Sequence, residues 1–104
     1  MDTKEKLLTR HKLGLSIQKI LEGNKVRKDV KLITSLRKLA ASSGIEYSII
    51  QKISSGKKDP QWTTVVSLVE GLGLTIAEFC QYYDEISDQS TQNQIQLSIS
   101  KRKS

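Results

Sequence analysis

One segment near the middle of the chain restricts the fold more than any other. Leu39–Ala40–Ala41–Ser42–Ser43–Gly44–Ile45 runs into Tyr47–Ser48–Ile49–Ile50–Gln51–Lys52–Ile53. Ala40 stands four positions before Gly44, Ile50 follows that glycine by six, and Ile53 extends the stripe. A glycine at position 44 permits the positive φ of a tight turn. The spacing predicts two short helices joined by that turn, with a small residue where they cross. On a wheel of about 100° per residue Ile49, Ile50 and Ile53 cluster, Ser48, Gln51 and Ser55 lie opposite, and Tyr47 and Lys52 flank them. The second helix, over 46–54, is therefore apolar towards a core and hydrogen-bonding towards the outside.

The flanking sequence predicts three more helices. Leu13, Ile17, Ile20 and Leu21 fall at i, i+4, i+7 and i+8, which places a first helix over 3–22 and its stop at Gly23–Asn24. Residues 25–33 are basic and β-branched and read as a connecting loop. Thr34 or Ser35 opens the next helix by accepting from first-turn amides, and Leu36, Leu39 and Ala40 are its buried residues. After Gly56–Lys57–Lys58–Asp59 the chain breaks at Pro60. A helix over 63–72 buries Val65, Val66, Leu68, Val69 and Leu72, with Trp62 filling core at its start. Thr75–Ile76–Ala77–Glu78 has the spacing of a capping box, opening a helix over 76–84 with Ile76, Phe79, Cys80 and Tyr83 on one face. Residues 85–104 form a polar tail in which Ile95, Leu97 and Ile99 alternate with polar residues, so the tail is expected to be flexible or strand-like. The expectation is an all-α protein of five helices, a domain over 1–84 followed by a short polar C-terminal tail.

Composition narrows the function. The 104 residues suit one domain, and no run of about 18 apolar residues is present to cross a membrane. The N-terminus lacks the apolar stretch of a secretory signal, and Cys80 stands alone, which fits a reducing cytoplasm. Charge is sharply divided. Residues 1–58 carry 14 Lys or Arg against 5 Asp or Glu, a net of +9, whereas residues 59–100 carry 6 acids and no Lys or Arg. A polyanion is the natural partner of the basic half, and the acidic half would face away from it. Enzymatic chemistry finds no support. There is one His, no phosphate-cradling glycine loop, and no nucleophile with a base beside it, so no catalytic residue, metal or cofactor is expected. His11 falls on the polar side of the first helix and is expected at the surface.

Leu39–Ala40, Ser43–Gly44–Ile45, Ile50, Ile53, Gly56–Lys57, Pro60, Leu72–Gly73 and the segment from Thr75 to Phe79 share one register. In this pattern residues 10–83 resemble the Cro/C1-type (XRE) helix-turn-helix family, with its lambda repressor-like fold. The resemblance implies a helix that enters the major groove, with Glu46, Tyr47, Ser48, Gln51 and Lys52 near the bases. It implies phosphate contacts from Ser35, Arg37, Ser55, Gly56, Lys57 and Lys58. It further implies a bacterial, cytoplasmic transcriptional regulator, expected to repress, that binds double-stranded DNA as a homodimer through its fifth helix and tail. Members of the same fold also act as antitoxins or adaptors, and the alternative is a protein-interaction module whose C-terminal tail grips a protein partner.

Three residues or segments depart from the family pattern. Leu36 replaces a frequent phosphate-binding glutamine, and Glu46 replaces Ser or Thr. The connection before the second helix is long, with Lys25, Arg27, Lys28 and Lys31 either touching phosphate or merely solvated. Tyr47 is expected to reach the groove, its other option being to fold back on Ile50 or on the helix opened by Thr34 or Ser35.

Overall fold

The computed structural model describes residues 3–27 and 29–103, with side chains as far as Ile99. Six α-helices and no strand lie among the described residues: α1 (Lys4–Arg27), α2 (Leu36–Ser43), α3 (Tyr47–Ser54), α4 (Trp62–Gly71), α5 (Ile76–Glu85) and α6 (Asp88–Lys103). The all-helical class agrees with the sequence; the sixth helix does not.

Helix α1 is the axis of the molecule, touching α3, α5 and α6. Packing on several sides explains why its buried residues form no single apolar stripe: His11, Gly14 and Ser16 are buried along with Ile17, Ile20, Leu21 and Asn24. The expected stop at Gly23–Asn24 is not used, and the helix continues to Arg27. Asn24 is not a terminating residue because its side chain is engaged elsewhere, Nδ2 donating to the Ile33 carbonyl at 2.7 Å. That bond draws the returning connection onto the helix, and the connection lies between Arg27 and Leu36 instead of over 25–33. Lys28 lies outside the described residues.

The α2–turn–α3 unit follows the expected boundaries closely. Ser35 caps α2, its Oγ accepting from the Lys38 amide at 3.1 Å, and Gly44 ends the helix at φ 76° with its amide donating to the Ala40 carbonyl. Leu39, Ile50 and Ile53 are fully buried, each stabilising the fold by roughly 1.5–3 kcal/mol. They join Ile17, Ile20, Leu21, Leu68, Val69, Leu72 and Phe79 in one core, with Leu36, Ala40, Ile49 and Val65 packed at its edge. On the far side of α2 the Ser42 hydroxyl donates to the Gly71 carbonyl at 2.8 Å, fastening α2 to the end of α4. The capping box of α5 is complete, Glu78 and Thr75 each donating a backbone amide to the other's side chain.

Four expectations are corrected by the packing. Trp62 is 63% exposed. It is the first residue of α4, where side chains lean back towards the helix N-terminus and past the core. Cys80 is exposed because the buried side of α5 runs through Ile76, Phe79 and Tyr82 instead. His11 is buried against the loop after α3. Most consequentially, the tail is neither strand-like nor loose. Ser87 accepts from the Ser90 amide at 3.0 Å, opening α6, which packs along α1. Thr91 is completely buried, its hydroxyl donating to the Ser87 carbonyl at 2.8 Å, and Ile95 and Ser98 continue the same side at helical spacing. The alternation of Ile95, Leu97 and Ile99 thus leaves Leu97 and Ile99 outside. A Cα radius of gyration of 13.5 Å, near the ~13 Å of a compact chain this long, agrees with a folded-back α6. No single helix among the described residues is long and apolar enough to cross a membrane.

Two glycines of α1 give opposite expectations. A Cβ on Gly14 would come within 2.8 Å of the Ser54 carbonyl carbon and 2.9 Å of the Ile53 carbonyl oxygen, backbone that cannot rotate away. Gly14→Ala therefore lowers stability by about 1–3 kcal/mol. A Cβ on exposed Gly23 meets nothing within 4 Å, so Gly23→Ala raises stability by up to ~1 kcal/mol through helix propensity. Urea unfolding of the two variants checks both signs. The single Trp62 offers a second test: acrylamide quenches its fluorescence in the native protein nearly as well as in urea, whereas an indole in the core would be shielded.

Candidate nucleic-acid interface

The C-terminal end of α3 is held from behind by α1. Residues 10, 14 and 18 recur every four positions and so share a face. Arg10 Nε donates to the Gly56 carbonyl at 3.0 Å, and Gln18 Nε2 donates to the Ser54 carbonyl at 2.7 Å. Between them Gly14 lets the two backbones meet. Gln18 thus satisfies a carbonyl that the helix leaves without an internal partner, and Arg10 one in the turn just beyond it.

The turn that follows completes this termination. Gly56 takes φ 77°, its amide donating to the Ile53 carbonyl at 3.1 Å and the Lys57 amide to the Lys52 carbonyl at 2.9 Å. These two bonds constitute a Schellman motif. The imidazole of His11 lies flat on Gly56: a Cβ there would sit 2.5 Å from ring atoms Cγ and Nδ1. Gly56 is thus buried, with both backbone groups committed. It shapes the loop, its amide already donating within the turn and its carbonyl accepting from Arg10.

In front, α3 turns Ser48, Gln51 and Lys52 to solvent. Glu46 is also exposed; as the N-cap residue it makes no side-chain capping bond, which leaves its carboxylate facing outward at the start of the helix. Tyr47 is half-buried under Arg37, whose guanidinium carbon stands 4.3 Å from the ring centroid. The tyrosine therefore folds towards α2, the first helix of the pair, and the cation over its face contributes about 0.5–1 kcal/mol. Its ring carries Arg37, whereas the sequence places Tyr47 in the groove.

Cations surround this face. Lys57 and Lys58 follow α3, Arg37 and Lys38 stand on α2, and Lys52 is on α3 itself, all exposed. None of the lysines 52, 57 and 58 pairs with a described carboxylate. Ser55 is half-buried with its hydroxyl donating to the Lys52 carbonyl at 3.2 Å, and Ser35 spends its oxygen on the α2 cap. The structure thus brings together Glu46, Ser48, Gln51, Lys52, Lys57 and Lys58 on and after α3, with Arg37 alongside through Tyr47. Lys25 and Lys31 are exposed, Lys25 engaged with Glu22 at 3.2 Å. Sequence reasoning missed Arg10, His11, Gly14 and Gln18, although a glycine midway between two long donors at four-residue spacing was a visible sign of helix docking.

No known family model, curated protein or solved structure matches the chain.

Gly56→Ala is expected to be among the most damaging single-methyl additions. The left-handed backbone costs an L-residue about 1–2 kcal/mol, and the methyl also overlaps the buried His11 ring. A loss above about 2 kcal/mol in equilibrium unfolding, with His11 ring resonances displaced, is the expected result.

Proposed function

We propose that this chain is a small transcriptional regulator of repressor type that binds double-stranded DNA sequence-specifically, with α2–turn–α3 as a helix-turn-helix in a lambda repressor-like domain. One observation carries the reading. The outer face of α3 presents unpaired polar and cationic side chains, while its other face and its C-terminal carbonyls are held by core and by α1. A helix fixed behind and unsatisfied in front suits insertion into a groove that displays fixed donors and acceptors.

Within that reading the side chains divide by chemistry. Gln51 can pair with adenine N6 and N7, Lys52 with guanine O6 and N7, and Glu46 can accept from cytosine N4, with Ser48 able to serve any base. Lys57, Lys58, Arg37 and Lys38 hold backbone phosphates and set register, joined by the hydroxyls of Ser55 and Ser35. Gly56 supports the loop that carries the two lysines, and Tyr47 aims Arg37. One module of this size buries too little DNA for tight specific binding, so the reading includes a homodimer whose half-sites are about 34 Å apart. The setting is a bacterial cytoplasm, as the family resemblance implies. The tail-driven capture of a protein partner gains nothing from an α6 that already lies on α1.

Selection of bound duplexes from a random pool at near-physiological salt tests this. A two-fold symmetric motif is expected to be enriched, and Lys52→Glu is expected to abolish the enrichment. Salt-sensitive retention of bulk DNA without enrichment would overturn sequence specificity. Lys57→Gln and Lys58→Gln weaken all sequences alike, each lowering the slope of log affinity against log salt by about 1.

A further inference from the structure

Behind the loop that carries Lys57 lies a cavity that shares Ser55 and Lys57 with the phosphate contacts proposed above and adds Arg10, His11 and Ser98 to them. It measures about 310 Å³, at the lower end of the ~300–1,000 Å³ range of small-molecule sites. Arg10 and His11 of α1, Ser55, Gly56 and Lys57 of the loop, and Ser98 of α6 line it. No lining residue is acidic, and Leu7 supplies the only large apolar side chain. A pocket so lined suits a small anion rather than an apolar molecule.

Its walls are held in place. Arg10 is fastened to the Gly56 carbonyl at 3.0 Å, and the His11 ring lies flat on the Gly56 α-carbon as a floor. The Ser55 and Ser98 hydroxyls donate to helix carbonyls of Lys52 and Gln94 at 3.2 and 3.1 Å. Such local bonds exchange readily for a stronger acceptor, and an anionic oxygen is one. Lys57 is exposed at the edge and has no described carboxylate to satisfy it.

We propose that this cavity binds a phosphate group, joining α1, the end of α3 and α6 through one ligand. The phosphate is carried by a free phosphorylated small molecule or by the backbone of a duplex; the recognising chemistry is the same. The proposal stands whether or not the chain selects a DNA sequence, because the test uses inorganic phosphate alone.

The experiment is a titration of the full-length protein with inorganic phosphate, followed by amide and His11 ring resonances. Saturable shifts confined to Ser55, Gly56, Lys57, Ser98 and the His11 ring are expected. Lys57→Gln should weaken the affinity about tenfold, the usual worth of one charge-assisted hydrogen bond, while Lys31→Gln leaves it unchanged. Ser98→Asp, which brings a carboxylate into the pocket from a half-buried position on α6, should abolish binding with the remaining spectrum intact. Shifts that never saturate or that spread over lysines generally would overturn the proposal, as would unaltered affinity in Ser98→Asp. Addition of a short random-sequence duplex then separates the two sources. Competition between duplex and phosphate at these resonances identifies the backbone; simultaneous binding, with inorganic phosphate still filling the cavity, identifies a free ligand.

Discussion

The attachment of α1 to the end of α3 is the contact on which the candidate interface depends. A two-turn helix has little stability of its own, since nucleation is costly and few internal bonds follow. Helix α3 spans only Tyr47–Ser54, and its persistence rests on tertiary contacts. The isoleucine stripe supplies the apolar part, and Arg10 and Gln18 supply hydrogen bonds to carbonyls at its end. Gly14 makes both possible by letting the donors' helix approach to backbone contact. Orientation of α3 is thereby set from one side only, which leaves the opposite side available for a ligand. A helix held equally on both faces would be a core element.

That arrangement also accounts for the odd composition of α1. A surface helix of a small domain ordinarily shows one apolar stripe. Here α1 meets α3 through polar donors and glycine, the core through Ile17, Ile20 and Leu21, and α6 elsewhere. Buried hydroxyls in this neighbourhood satisfy themselves on their own helices, Ser16 on the Lys12 carbonyl at 2.8 Å and Thr91 on the Ser87 carbonyl. Small self-satisfied side chains allow helices to approach without leaving polar atoms unpaired, and no buried side-chain donor or acceptor among the described residues lacks a partner.

Local chemistry was legible where local chemistry decides. Gly44 had to end α2, Ser35 to begin it, and Thr75 with Glu78 to open α5, because caps and turns act within four residues. The face of α3 could likewise be drawn on a wheel, since one side is apolar and the other is not. Long-range packing was not legible. Asn24 looked like a terminator until its side chain met Ile33, and His11 looked like surface until the loop at Gly56 folded over it. The tail misled for a different reason. Ile95, Leu97 and Ile99 have the period of a strand, but Thr91, Ile95 and Ser98 have the period of a helix, and two of those three are hydroxyl residues that a search for apolar repeats passes over. Ser87 with Ser90 three residues later was the available sign of a helix start.

The division of charge acquires a structural sense once the helices are placed. Lys12 reaches Asp88 at 3.7 Å and Lys19 reaches Glu85 at 2.8 Å, while Lys12 also stands 4.9 Å from the Tyr83 ring centroid. The exposed Lys19–Glu85 pair adds at most about 1 kcal/mol to stability. The larger consequence of the two pairs is for the field outside the molecule. Acids of the C-terminal half neutralise cations on the body of α1, and no described acid pairs with Lys52, Lys57 or Lys58. Lys52, Lys57 and Lys58 therefore keep their positive charge at the end of α3, while Lys4, Lys6, Arg27 and Lys31 place further exposed cations elsewhere. A basic composition attracts a polyanion to any face; the pairing of Lys12 and Lys19 with acids of the C-terminal half weakens that attraction along the middle of α1.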